Sequence, residues 1–359
     1  MNESDFIFKN KISLEGFSEW ISPSNIALIK YWGKQKNQIP KNPSLSFTLS
    51  KSTTKTKVTY GPRLNNKDDF SLDFLFNGKP EPSFVPKIEM FLNRIVRYIP
   101  YIKNHHFKIE SQNSFPHSSG IASSASSMSS ISLGILEVEK KYNTSMTRDF
   151  FLKKASFLAR LGSGSASRSI YGPISVWGKN SSYKDSSDYY AVDIGNRVNE
   201  VFLKYQNTIL LVDKSKKKIS STKGHELMET NPYAFERFNQ AKKNLKEFKK
   251  ALSSGDIDNF IKIVESEALS LHGLMLTSNP YFILFKPETL SIINKIWDFR
   301  NETKCPICFT LDAGANVHLL YPIEYKKIAL KFIKENLLVF CQNGKYINDM
   351  VGLGSKKNK

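Results

Sequence analysis

Cysteine is nearly absent: there are three in 359 residues, two of them in Cys305-Pro306-Ile307-Cys308. That excludes a disulfide framework and suits a reducing compartment. The C-x-x-C pair has neither a second pair nor a histidine cluster beside it, and the β-prone residues at 305–311 predict a strand interior with the two thiols facing opposite sides. Long hydrophobic runs are also missing. Nothing approaches the roughly 18 apolar residues of a membrane span, and MNESDFIFKNK at the start lacks the apolar centre of a signal peptide. A soluble, cytoplasmic protein is expected. No fixed-period repeat occurs, and low complexity is confined to one serine-rich stretch and the basic residues 354–359.

Acidic charge is in deficit, 33 residues against 52 basic ones, for a net charge of +19. Such a surplus favours polyanionic partners: nucleic acid, an anionic membrane or a small phosphorylated metabolite. The lysines are spread over clusters at 214–218, 242–250 and the end of the chain, and no recognised nucleic-acid motif accompanies them. Nucleic-acid binding is therefore the rival from another class, and no such partner, nor a membrane, is expected.

With 40% hydrophobic residues the chain can bury a large core, and its length predicts about two domains. In the first half, alternation predicts strands at 55–60 and 107–110, while helical spacing marks 87–98 and 148–161. Strand character resumes at 174–177 and 191–193, joined by KNSSYKDSSD, polar enough for a mobile hairpin connection. A second unit begins near TILLV at 208–212. Long amphipathic helices follow at 232–252 and 257–271, then a helix at 287–299, strands at 307–311 and 317–321, and a closing helix at 325–336. That order suits an α+β arrangement with helices on one face of an antiparallel sheet.

Four segments carry functional groups where a core would want apolar ones. SSGIASSASSMSS at 118–130 precedes an apolar helical run and reads as a phosphate cradle, since small residues bend tightly and a helix start aims its free N–H groups and positive dipole end at an anion. It matches neither the G-x-x-x-x-G-K-[ST] loop nor G-x-G-x-x-G. The plain alternative is a small-residue helix packing closely on a neighbour. NIALIKYWGK at 25–34 has a strand-like centre that points Lys30 into a cleft or, alternatively, to the surface. GSGSASRSIYG at 162–172 offers hydroxyls at a helix start and, in Arg168, a fork for carboxylate or phosphate, or else a capped helix with a surface arginine. TLDAGAN at 310–316 places Asp312 after an apolar strand, as an acid or as an Asx-turn terminator.

Together these segments, with IPKNPSLSFTL (39–49), FPHSSGIASSAS (115–126), ISSTKG (219–224) and LDAGANVHLLYP (311–322), resemble the diphosphomevalonate decarboxylase family of the GHMP small-molecule kinase superfamily, in register from about residue 20 to about residue 322. The resemblance implies an α+β, two-lobed GHMP kinase fold with a ribosomal S5 domain 2-like N-terminal lobe over 1–205 and a ferredoxin-like C-terminal lobe over 206–359. It implies ATP with Mg²⁺, mevalonate 5-diphosphate as the small-molecule substrate, decarboxylation to isopentenyl diphosphate, and a homodimer. The alternatives within the superfamily are decarboxylation of the 5-monophosphate, or a kinase that phosphorylates the C3 hydroxyl and stops.

By the same resemblance Asp312 is the catalytic aspartate, Lys30 the lysine beside it and Arg168 the arginine that grips the substrate carboxylate. Asn25, Tyr31, Lys34, Ser163, Ser165 and Lys87 fall at substrate-binding positions, and Ser118, Ser119, Gly120, Ala122, Ser123, Ser124 and Ser221 at ATP or phosphate positions. No residue is assigned to hold a metal; Mg²⁺ is expected on the ATP phosphates. The family's usual FPTAAG is Phe115-Pro116-His117-Ser118-Ser119-Gly120 here, its DAGPN is Asp312-Ala313-Gly314-Ala315-Asn316, and the Met after its SSTxG turn is His225.

Overall fold

The computed structural model describes residues 1–63, 69–116, 121–213 and 221–358. Two sheets organise it. The first is eight-stranded, in the order β12-β1-β2-β5-β3-β4 with β6 on β2 and β7 on β6. Its members are β1 (Gly16–Ile29), β2 (Ser44–Pro62), β3 (Ser71–Phe76), β4 (Lys79–Pro80), β5 (His105–Asn113), β6 (Ile174–Trp177), β7 (Val192–Asp193) and β12 (Lys356–Lys357). The helices of this half are α1 (Val85–Ile95), α2 (Ser123–Tyr142), α3 (Arg148–Gly162) and the short α4 (Ala166–Ser169) and α5 (Glu200–Leu203).

Serine is what lets α2 lie against this sheet. Ser126 meets the Thr54 hydroxyl at 2.6 Å and Ser130 that of Thr56 at 2.7 Å, while Ser129 donates to the Ala166 carbonyl at 2.8 Å. Small side chains that satisfy their own polarity allow helix and strands to approach closely without unpaired groups. The close-packing reading thus holds for the interior of the serine run, and the cradle reading is left to its start.

The second sheet has four strands in the order β11-β8-β10-β9, all antiparallel, from β8 (Gln206–Leu210), β9 (Cys308–Leu311), β10 (Val317–Tyr321) and β11 (Tyr346–Met350). In chain order this is the 4-1-3-2 arrangement of a ferredoxin-like unit. Between β8 and β9 run α6 (Ser221–Glu226), α7 (Ala234–Ser254), α8 (Ile257–Leu276) and α9 (Pro287–Thr303), and α10 (Lys326–Phe332) precedes β11. Their boundaries have local causes: Gly255, at φ +81°, ends α7, Asp256 caps α8 through the Asn259 N–H at 3.0 Å, and Pro287 opens α9. The largest apolar core joins residues from both halves, Phe47 and Ile174 with Phe260 and Leu320.

Two expectations change. KNSSYKDSSD does join the antiparallel pair β6 and β7, but it is pinned rather than loose: Asp188 accepts from the Lys179 N–H at 2.7 Å, Asn180 from the Tyr183 N–H at 2.9 Å, and Tyr183 is buried. Cys305 lies before β9 rather than within it; all three cysteines are free thiols in apolar surroundings, and burial raises their pKa values.

Candidate active site

Arg168 lies in α4, buried to 2% exposure. Its Nε donates to the Ser46 hydroxyl at 3.1 Å, Nη1 to that of Ser44, and Nη2 to the Asn25 carbonyl oxygen at 3.3 Å. Ser44 and Ser46 share one face of β2 because they are two apart on a strand. All these acceptors are neutral, and among the described residues no carboxylate lies within ion-pair distance of Arg168. Burial pulls the guanidinium down to about 10, and the charge of Asp312 offsets part of that. A dehydrated, fixed guanidinium of this kind is suited to an incoming anion.

Lys30 follows the last residue of β1 at 1% exposure. Its Nζ turns back to the Ala27 carbonyl at 2.6 Å, and its backbone N–H donates to Glu267 at 2.8 Å. Desolvation lowers the ammonium to about 8; Asp312 and Glu267 favour its charge, while Arg168 and Arg237 oppose it. Asp312 stands just beyond β9 and is partly exposed. The turn there is closed by its backbone carbonyl, which accepts from Gly314 N–H at 2.7 Å and from His272 Nε2 at 3.0 Å, and among the described residues no backbone N–H donates to its carboxylate as in an Asx-turn. Asp312, Lys30 and Arg168, from three distant parts of the chain, act on one another electrostatically.

Around them, Tyr31 packs edge-on to Trp177 at 4.8 Å and against His225 at 4.4 Å. Its hydroxyl is buried with no hydrogen-bond partner among the described residues, and burial raises its pKa. Gly164 leaves room for it, since a Cβ there would come within 2.8 Å of the Tyr31 oxygen. Asn25 also donates to Ser165 C=O at 3.1 Å and to the Ser169 hydroxyl at 2.7 Å. The hydroxyls of Ser124, Ser163 and Ser165 form a string, 3.4 Å and 3.5 Å apart, that links the start of α2 to the start of α4.

Lys34 is partly buried, its ammonium lowered by dehydration and by Arg94, with Glu226 opposing. Lys87 is exposed on the first turn of α1, and no hydrogen bond or ion pair among the described residues ties it to the site. Ala122 enters α2 at φ +23°, and Ser123 is the first residue of that helix. Ser118, Ser119 and Gly120 lie outside the described residues, as does the side chain of Ser221.

Five residues that the sequence reading passed over belong to this neighbourhood: Arg94, Arg237, Glu267, His272 and His318. Arg94 carries the one available signal, lying seven residues after Lys87 on the same face of α1. His225 accepts from the Gly33 N–H at 2.9 Å through Nδ1, which leaves its proton on Nε2, and burial with Lys34 nearby pushes its pKa down to about 3.

The start of α2 suits a nucleotide triphosphate. Ala122 has no side-chain cap to offer its N–H groups, the exposed Ser124 hydroxyl adjoins Ser163, and the dipole of a 20-residue helix points the same way. Among the described residues no group of three or more His, Cys, Asp or Glu could hold a metal ion.

An eight-stranded sheet with its helices and a ferredoxin-like four-stranded sheet define a two-lobed α+β protein of the GHMP kinase type. Residues 22–189 match the diphosphomevalonate decarboxylase-like N-terminal domain, and residues 207–354 the mevalonate 5-diphosphate decarboxylase C-terminal domain. The chain belongs to the diphosphomevalonate decarboxylase family. It is 31% identical over 322 residues to the diphosphomevalonate decarboxylase of Eremothecium gossypii, covering 84% of this chain and 77% of that protein. The mevalonate diphosphate decarboxylase of Staphylococcus aureus superposes with a TM-score of 0.81 at 29% identity, over 96% of this chain and 99% of that one. MDDEF in complex with MVAPP, AMPPCP and magnesium gives 0.81 at 28% identity, over 96% and 100%.

Proposed function

We infer that this chain catalyses the ATP- and Mg²⁺-dependent decarboxylation of mevalonate 5-diphosphate to isopentenyl diphosphate, releasing ADP, phosphate and CO₂, as its family does. The observation that carries the reading is the burial of a guanidinium and an ammonium, Arg168 and Lys30, within electrostatic reach of the Asp312 carboxylate.

The chemistry requires it. Hydroxide is a poor leaving group, so the tertiary C3 oxygen must first take the γ-phosphoryl group of ATP. In a loose transition state little proton removal is needed early, and Asp312 orients the hydroxyl and collects its proton late. Lys30 offsets charge on the transferring group, an effect of several kcal/mol where water is excluded. When phosphate leaves, positive charge grows at C3, and the neighbouring carboxylate, oriented by Arg168, gives up its electron pair to the new double bond as CO₂ departs.

Asn25, Tyr31, Lys34, Ser163 and Ser165 are assigned to the rest of the substrate, with Lys87 reaching it only from the exposed start of α1. Ser118, Ser119, Gly120, Ala122, Ser123, Ser124 and Ser221 are assigned to ATP. The lobes are taken as 1–205 and 206–359, the working state as a homodimer, and the location as the cytoplasm. Among the described residues no helix is long and apolar enough to cross a membrane.

CO₂ release with ATP, measured on mevalonate 5-diphosphate and on the 5-monophosphate, tests the assignment. A strong preference for the diphosphate supports it; a preference for the monophosphate, or ADP formed without CO₂, overturns it. The net charge of +19 motivates the nucleic-acid rival, and retention on heparin that collapses with salt, without saturable binding to a defined RNA or DNA, dismisses it.

A further inference from the structure

We infer that Glu267, held by Arg237 and Asn244, is a positioning residue that places Lys30 and sustains its positive charge. The inference rests on the reading of Lys30 as a residue that works protonated.

Glu267 is fully buried on α8, and its carboxylate has three partners: the Lys30 backbone N–H at 2.8 Å, Asn244 Nδ2 at 2.7 Å, and the Arg237 guanidinium. The pairing of β1 with β2 ends at Ile29 and Leu45, so the N–H of Lys30 lies just beyond the last strand pair and meets no strand partner. Glu267 takes the place of that partner. The chain turns there, and the ammonium folds back to Ala27 within electrostatic reach of Asp312.

Stability alone does not call for this arrangement. A buried ion pair usually contributes no more than apolar residues of similar volume, because dehydration cancels the attraction. Arg237 is poorly satisfied besides: Nε and Nη1 have no partner among the described residues, and only Nη2 is engaged, on Glu267. What the pair accomplishes is electrostatic. The charged groups around Lys30 are Asp312 after β9, Glu267 on α8, Arg168 in α4 and Arg237 on α7, with His318 of β10 also within reach. His318 is neutral near pH 7, since burial lowers its pKa to about 4. Two negative charges thus face two positive ones, and removing one from either side tips the ammonium at Lys30 in a known direction.

The test is the pH profile of kcat for the full-length protein with saturating mevalonate 5-diphosphate and Mg-ATP. Lys30→Arg, whose side chain does not titrate in the range, should retain weak activity and lose the alkaline limb; a limb that persists overturns the reading of Lys30 itself. Given a limb that belongs to Lys30, Glu267→Gln should move it about one pH unit lower, roughly a tenfold loss at a fixed pH on the limb, and Arg237→Gln should move it higher by a similar amount. A misfolded site would lower kcat at every pH without opposite shifts. Unmoved limbs, or shifts of the same sign, overturn the inference, and either variant decides it alone if the other does not fold.

Discussion

The side-chain carbonyl of Asn25 accepts from Nη2 of Arg168 at 3.3 Å while its amide nitrogen donates to the Ser169 hydroxyl at 2.7 Å. One amide therefore links β1 to α4 on both of its polar atoms and sets the angle of the guanidinium. Asn25→Leu keeps the branched heavy-atom shape and removes these bonds together with the one to the Ser165 carbonyl. A hydrogen bond to a charged group is worth about 1.5–3 kcal/mol, so kcat/KM for mevalonate 5-diphosphate should fall roughly 10- to 100-fold. Steady-state kinetics should find the KM for ATP nearly unchanged.

Asp312→Asn removes a contact made mainly in the transition state. Turnover should drop by about three orders of magnitude or more while nucleotide affinity, read by calorimetry with a non-hydrolysable analogue, stays within about twofold. Near-normal turnover would show that the proton goes elsewhere.

His225 and His318 are buried, and their pKa values are lowered from 6.5 to about 3 and about 4. Both fold as neutral imidazoles, so the unfolded chain binds more protons below pH 6.5. Their contribution to stability is complete above that pH and is lost as pH falls toward the folded values. The melting temperature should decline between about pH 6.5 and pH 5, and His225→Met should flatten that decline. An equally steep decline in the variant would exclude His225 as a source.

Gly164→Ala introduces a methyl group 2.8 Å from the Tyr31 hydroxyl and 2.9 Å from the Trp177 ring. Overpacking of this kind costs about 1–3 kcal/mol, visible as a lower denaturation midpoint. Because Tyr31 must shift, KM for the substrate should rise as well; a change in stability alone would remove Tyr31 from the substrate site.

Much of the architecture was legible along the chain. The strands at 174–177 and 317–321 were read with their observed bounds, because short apolar runs between turn residues have few other solutions. Asp312, Lys30 and Arg168 were singled out by the motifs around them and by the family resemblance those motifs carry, while the residues alone left a plain alternative open for each. Glu267 and Arg237 were not singled out, since a charge in a long amphipathic helix looks the same whether it faces water or a lysine 237 positions away. The interior serines of α2 were ambiguous for a similar reason: a hydroxyl that lines a phosphate cradle and one that bonds a threonine across a helix–sheet contact are spelled alike.

By itself the sequence determined which chemistry was available: an acid, an ammonium, a guanidinium and hydroxyls at a helix start, in segments whose local propensities form strands and helices. Only the tertiary structure decided their state. Desolvation and Coulomb attraction depend on through-space distance and on exclusion of water, so the pKa of Lys30, near 8 rather than 10.5, is a property of packed neighbours that no stretch of chain contains.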